Sequence, residues 1–284
     1  VSGTLEGLLA QVDVVVDCTP KGIGAKNLER YRAVGVKAIY QGGEKHSLTG
    51  HSFVAQANYE TAIGRDATRV VSCNTTSTVR TLLALRDAGL LKKARGVLIR
   101  RATDPWESDR GGIMNTMVPE RDIPSHQGPD AQTVVPDLDV VTIAAKAAHT
   151  QTHNHYWVVE MTRNADRDEV LAAFRAAPRI AFIRMADGIV ALNSTIELMK
   201  DLGRPRGDMK RRGRGSPAGA AWSTARATTS AFITMPGPPP AGVSSTARCL
   251  PVAKSRMRWV SRLHAAPSAL PASETPSGPG NISG

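Results

Sequence analysis

Apolar positions in the first part of the chain alternate between short continuous runs and stretches of helical period. "VDVVVDC" (12–18) is a continuous apolar run, the pattern of a strand buried on both faces of a parallel sheet. "TPKGIGAKN" follows as a Gly-containing turn, "LERYRAVG" carries a helical pattern, and "VKAIYQGGE" (36–44) is a second strand ending in paired glycines. Strand, helix and strand at this spacing predict a βαβ unit, whose ligands usually bind at the carboxyl ends of its strands. Those ends carry Thr19, Pro20, Gly22 and Gly24, then Gln41, Gly42 and Gly43. Glycine there lets a backbone approach a flat or phosphorylated ligand closely, although ordinary turns use glycine as well. The GxGxxG fingerprint of a first Rossmann strand is absent.

"ATRVVSCNTTSTVRTLLALRDAGLLKKA" (67–94) repeats the pattern with chemistry added. Val70 and Val71 end a strand, Asn74, Thr75 and Thr76 are candidate caps, and Leu82, Leu83 and Leu85 lie along an amphipathic helix. Cys73 then falls at or just before the first helical turn, where free N–H groups and the positive end of the macrodipole favour a thiolate. Cysteine is more often a small buried hydrophobe, which suits Cys18 inside its apolar run; the polar neighbours Ser72 and Asn74 set Cys73 apart.

Three further clusters stand out. "RRATDPWES" (100–108) ends the β-rich "GVLIR" with Arg100 and Arg101, suited to phosphate or carboxylate. "IPSHQGPD" (123–130) is a loop with His126 and Gln127 between prolines, and "HTQTHNHYWVVEM" (149–161) has three histidines before a strand. His153 and His155 share a side if the segment is extended, but no Cys, Asp or Glu at matching spacing completes a metal site, and none is expected.

After Met209 the patterning ends. "KRRGRGSPAGAAWSTARATTS" and "MPGPPPAGVSSTARC" follow neither period and are dominated by Pro, Gly, Ser and Ala, so disorder is expected over 210–284. The net charge of +11 sits largely there: ten Lys and Arg against Glu274 leave about +2 for residues 1–209. The basic balance is therefore a property of the tail, and its few aromatics make nucleic-acid binding a minor alternative. The 284 residues, 41% hydrophobic, allow two modest domains with real cores. The absence of an apolar stretch of roughly 18 to 20 residues points to a cytoplasmic protein with no membrane partner. Three widely spaced cysteines (Cys18, Cys73, Cys249) predict free thiols.

Read together and in order, "DVVVDCTPKGIGAKN", "QGGEKH", "SCNTTS", "RRATDPWES", "VPERDIPSHQGPDAQTV" and "HTQTHNH" closely resemble archaeal-type (type II) glyceraldehyde-3-phosphate dehydrogenase over about residues 1–209. The resemblance implies an α/β architecture: a partial Rossmann nucleotide-binding domain over 1–72, an α+β catalytic domain with a mixed or antiparallel sheet over 73–209, and the tail. It implies that Cys73 is the nucleophile and His153 its partnering base. It further implies that Ser72, Asn74, His126, Gln127 and Arg100 meet the substrate, and that Thr19, Pro20, Gly43 and Arg101 meet NADP or NAD. The substrates would be glyceraldehyde 3-phosphate and inorganic phosphate, and the assembly a homotetramer. Gln127 and Ser77 stand where many members have His and Gly.

The family pattern also predicts a first Rossmann strand with its Gly-rich turn, about 65 to 70 residues, ahead of Val1. It continues with apolar strands where this chain has "KRRGRG", the kind of change a frameshift in GC-rich DNA gives. Little or no turnover is expected of the chain as it stands. The alternatives are another cysteine-dependent semialdehyde or acyl-phosphate dehydrogenase, such as aspartate-semialdehyde dehydrogenase, and an inactive scaffold with a nucleic-acid-binding tail.

Overall fold

The computed structural model describes residues 3–41, 43–102, 115–149, 152–183 and 185–203, with three residue pairs further on. Most of 210–284, and the "TDPWES" part of the arginine motif, lie outside the described residues.

The first unit is a parallel sheet in the order β1-β2-β4-β3. Its elements are α1 (Leu5–Leu9), β1 (Val14–Asp17), α2 (Ile23–Ala33), β2 (Lys37–Tyr40), α3 (His46–Thr49), β3 (Ser52–Phe53), α4 (Ala55–Asn58) and β4 (Ala67–Val70). β1, α2 and β2 form the expected βαβ unit, with Val14 beside Lys37 and Asp17 beside Tyr40. Leu9, Tyr31, Val36, Ala38 and Tyr40 make its small core.

At the carboxyl end of β1, buried Asp17 accepts from the Thr19 backbone N–H at 2.9 Å, Asn27 Nδ2 at 3.0 Å and the Tyr31 hydroxyl at 2.8 Å. Burial pushes its carboxyl up, but the bonds from Asn27, Thr19 and Tyr31 outweigh that and hold it below the usual range. Cys18 is one residue past β1 and exposed, not packed inside the strand as its apolar run predicts. The reason is that the chain turns toward Thr19 as soon as the β1–β2 ladder ends at Asp17.

The second unit is built on a mixed sheet. It comprises α5 (Cys73–Asp87), β5 (Leu91–Arg101), β6 (Met117–Pro119), α6 (Gln127–Gln132), β7 (Val140–Ala147), β8 (His153–Met161), α7 (Arg167–Ala176), β9 (Ile180–Ala181) and α8 (Leu192–Asp201). β5 is central, parallel to β7 and antiparallel to β8, and β6 closes one side antiparallel to β7. The residue pairs beyond form two-residue strands, β10 (Trp222–Ser223) on β9 and β11 (Thr229–Ser230) and β12 (Arg248–Cys249) on β8.

Alternation along β8 buries His153, His155, Trp157 and Val159 on the inner face. Opposite Trp157 stands Gly96, where an added Cβ would lie 2.3 Å from the indole, so the ring needs a residue without a side chain beneath it. Leu82, Leu85, Leu98, Trp157, Val159 and Phe174 fill the core between this face and α5. α5 is not the half-exposed amphipathic helix that its pattern predicts. Every residue from Asn74 to Leu85 is buried, because α4, α6, α7 and the sheet surround it.

A candidate active site at the start of α5

Cys73 is the first residue of α5, which Val71 and Ser72 join to β4. The cap is Ser72, not Asn74, Thr75 or Thr76: its backbone is still extended, with ψ 157°, and its Oγ accepts from the Thr75 N–H at 3.2 Å. A fifteen-residue helix thus presents its positive end at the Cys73 sulfur. Such a position stabilises thiolate over thiol.

Across from the helix start, β8 brings two of its inward residues to bear. His153 Nε2 is 3.6 Å from Cys73 Sγ, and His155 Nε2 is 2.8 Å from Asn74 Oδ1. The i, i+2 spacing of a strand therefore matches two successive residues of the helix. Both histidines belong to β8 itself, which begins earlier than the sequence pattern places it.

The Arg101 backbone N–H donates to His153 Nδ1 at 3.1 Å. A backbone N–H can only donate, so Nδ1 carries the lone pair and the neutral ring has its proton on Nε2, facing the sulfur. Burial, then Arg101, His155, Arg100 and His149, push the His153 imidazole well below its ordinary value. Burial, then Arg100, push His155 down to about 3. Both rings are neutral at physiological pH.

This has a consequence for stability. The unfolded chain takes up protons on these histidines near pH 6.5, whereas the fold does not, so stability is complete above that pH and falls as pH drops below it. For His155, acidification from pH 7 to pH 5 is expected to cost about 2 kcal/mol. Urea unfolding at the two pH values reads the loss, and His155→Gln should lessen it by about that amount.

The remaining expected residues divide. Arg100 pairs with Glu120, and Glu120 also lies 3.4 Å from His126 Nδ1, so one carboxylate stands between both groups expected to hold an anion. The sequence reading missed Glu120. His126 is exposed, but Gln127 is fully buried as the first residue of α6, not part of an open loop, and neither of its amide atoms has a partner. Arg101 is buried and its N–H serves His153. Thr19, Pro20 and Gly43 follow the carboxyl ends of β1 and β2, the same edge of the parallel sheet from which β4 leads into Cys73. Among the described residues no group of three His, Cys, Asp or Glu could hold a metal ion.

Known proteins share this arrangement of sequence. Residues 72–203 match the family described as glyceraldehyde 3-phosphate dehydrogenase, C-terminal domain. Glyceraldehyde-3-phosphate dehydrogenases of Methanothermobacter thermautotrophicus and Methanococcoides burtonii are 45% and 46% identical to this chain over 210 residues, 74% of it and 62% of each relative. That of Methanothermus fervidus is 44% identical with the same coverage. The chain thus spans about three fifths of the length of these curated relatives. The solved structure of aspartate semialdehyde dehydrogenase II from Vibrio cholerae is 13% identical, with a TM-score of 0.49 over 60% of this chain and 62% of that one, a likeness with no weight on substrate. The likeness is thus to the expected family: residues 72–203 are similar to the C-terminal domain of glyceraldehyde 3-phosphate dehydrogenases, and 210 residues are similar to archaeal members.

Proposed function

We propose that this chain carries the thiol site of a phosphorylating glyceraldehyde-3-phosphate dehydrogenase, acting on glyceraldehyde 3-phosphate, inorganic phosphate and NADP or NAD. The observation that carries the reading is the meeting of Cys73, at the capped start of a long helix, with the Nε2–H of His153 at 3.6 Å. The Cys73 thiolate attacks the aldehyde carbon, a C–S bond forms, and the carbonyl oxygen becomes an alkoxide. His153 Nε2–H donates to that oxygen. In this tautomer His153 is a hydrogen-bond donor, where the family resemblance implies a base. No base is needed for the step, since the alkoxide already holds the electron pair that becomes the thioester carbonyl when hydride departs. A bound nicotinamide cofactor supplies the acceptor for that hydride. Phosphate attack on the thioester passes through a second oxyanion at the same donor, and the Cys73 thiolate leaves.

The cofactor edge fits in part. Gly43, at φ 93°, is exposed at the carboxyl end of the parallel sheet, on the same edge as Thr19 and Pro20, and gives the flat backbone a nicotinamide nucleotide requires. The turn after β1 is closed to pyrophosphate, because Glu44 Oε1 already accepts the Gly22 N–H at 2.6 Å and brings negative charge there. Thr19 and Pro20, at the start of that turn, and Gly43 would hold the cofactor away from Gly22.

The test needs no cofactor. Glyceraldehyde 3-phosphate should protect Cys73 from iodoacetamide by forming the hemithioacetal, while aspartate semialdehyde should not. Equal protection by both would favour the semialdehyde alternative, and protection by neither would remove the reading.

A further inference from the structure

Arg69 is a buried cation near the end of β4, three residues before the capping Ser72 and four before Cys73. Its Nε donates to Ser52 Oγ at 2.8 Å, one Nη donates to the Glu44 carbonyl at 3.1 Å, and the other reaches Asp130 Oδ1 and Thr133 Oγ1. The four partners come from three segments: β3, the turn after β2, and α6 with its C-terminal cap Thr133. Asp130 is only 17% exposed in its side chain and uses its second oxygen as well, accepting from Thr75 Oγ1 at 2.9 Å. Thr75 Oγ1 is in turn 2.9 Å from Ser72 Oγ, the cap of α5. An unbroken polar path therefore runs from the cofactor-side turn at Glu44 to the residue that seats Cys73.

From this path we infer that Asp130 and Arg69 are positioning residues for Cys73, bracing the Ser72 cap of its helix against the parallel sheet through Thr75. The inference rests on the reading of Cys73 as nucleophile. Neither residue touches the sulfur. Their effect is on the register of the first helical turn, whose N–H groups stabilise the thiolate only while they point at it. Asp130 also follows His126 and Gln127 on the same short segment, so one carboxylate fixes the nucleophile and the substrate-side residues relative to each other.

The sign of the effect separates bracing from simple charge. Removing a carboxylate near a thiol should, by relief of Coulomb repulsion alone, favour the thiolate and speed its alkylation. Loss of the brace slows it. The experiment compares alkylation by iodoacetamide at pH 7 for Cys73 and for exposed Cys18 in the same folded sample, by peptide mass spectrometry. Wild type is expected to alkylate Cys73 faster than Cys18. Asp130→Asn and Thr75→Val should each lower the Cys73 to Cys18 ratio about tenfold, and the double variant no further, since both break one link.

Thr75→Ser should restore the ratio, because it keeps the hydroxyl. Met199→Ala, which loosens α8 outside the path, should lower stability and leave the ratio alone. A ratio unchanged or raised in Asp130→Asn together with an unchanged ratio in Thr75→Val overturns the bracing role and leaves the nucleophile standing. A wild-type Cys73 no faster than Cys18 overturns both.

Discussion

His153→Ala is expected to slow the capture of glyceraldehyde 3-phosphate by Cys73 about 100-fold or more, the size of losing one buried oxyanion donor. The same substitution by glutamine should keep at least about tenfold more of the rate than alanine does, because an amide N–H still donates although it has no basic nitrogen. The contrast follows from one bond, the Arg101 N–H on His153 Nδ1, which dictates where the ring keeps its proton. Were His153 a base, alanine and glutamine would be equally poor. Stopped-flow loss of the aldehyde signal reads both variants, and an alanine variant within threefold of wild type would remove His153 from the site altogether.

Arg69→Ala is expected to be the most damaging single change to the fold. It leaves the Asp130 carboxylate, with its side chain 17% exposed, without its cation, and it strips partners from Ser52, the Glu44 carbonyl and Thr133. Breaking a buried pair by removing one member costs roughly 3 to 5 kcal/mol, far above the value of a surface pair. The exposed Arg32–Glu29 pair offers the comparison: Arg32→Ala should change stability by about 0.5 kcal/mol or less. Urea unfolding of both variants measures the difference, and equal midpoints would show that the Arg69 network carries no stability.

Local pattern made several parts of this molecule legible. The βαβ unit, the helix beginning at Cys73 and the inward alternation of His153 and His155 each depend on residues close in sequence, where period and capping act. Cys18 misled because an apolar run signals burial only inside a strand, and β1 ends one residue before it. Gln127 read as a loop residue because its neighbours are prolines and a glycine, yet tertiary packing buries it completely. Arg69 and Asp130 are 61 residues apart, and Arg100 and Glu120 are 20 apart, so no period joins either pair. Charge pairing at such separations is visible only once β4, β5 and α6 have been assembled. The resemblance to a known family named Cys73 and His153, but not the direction of the hydrogen bond between them.

The central claim is that Cys73 forms a thioester with a 3-phosphoglyceroyl group, and it can be tested most directly from the product side, where no cofactor takes part. The thiolate attacks the acyl phosphate of 1,3-bisphosphoglycerate, a C–S bond replaces the C–O bond, and inorganic phosphate leaves. After acid quenching and digestion, mass spectrometry should find the 3-phosphoglyceroyl group on the peptide bearing Cys73 and not on that bearing Cys18. Acylation absent from Cys73, or spread equally over both peptides, would contradict the account.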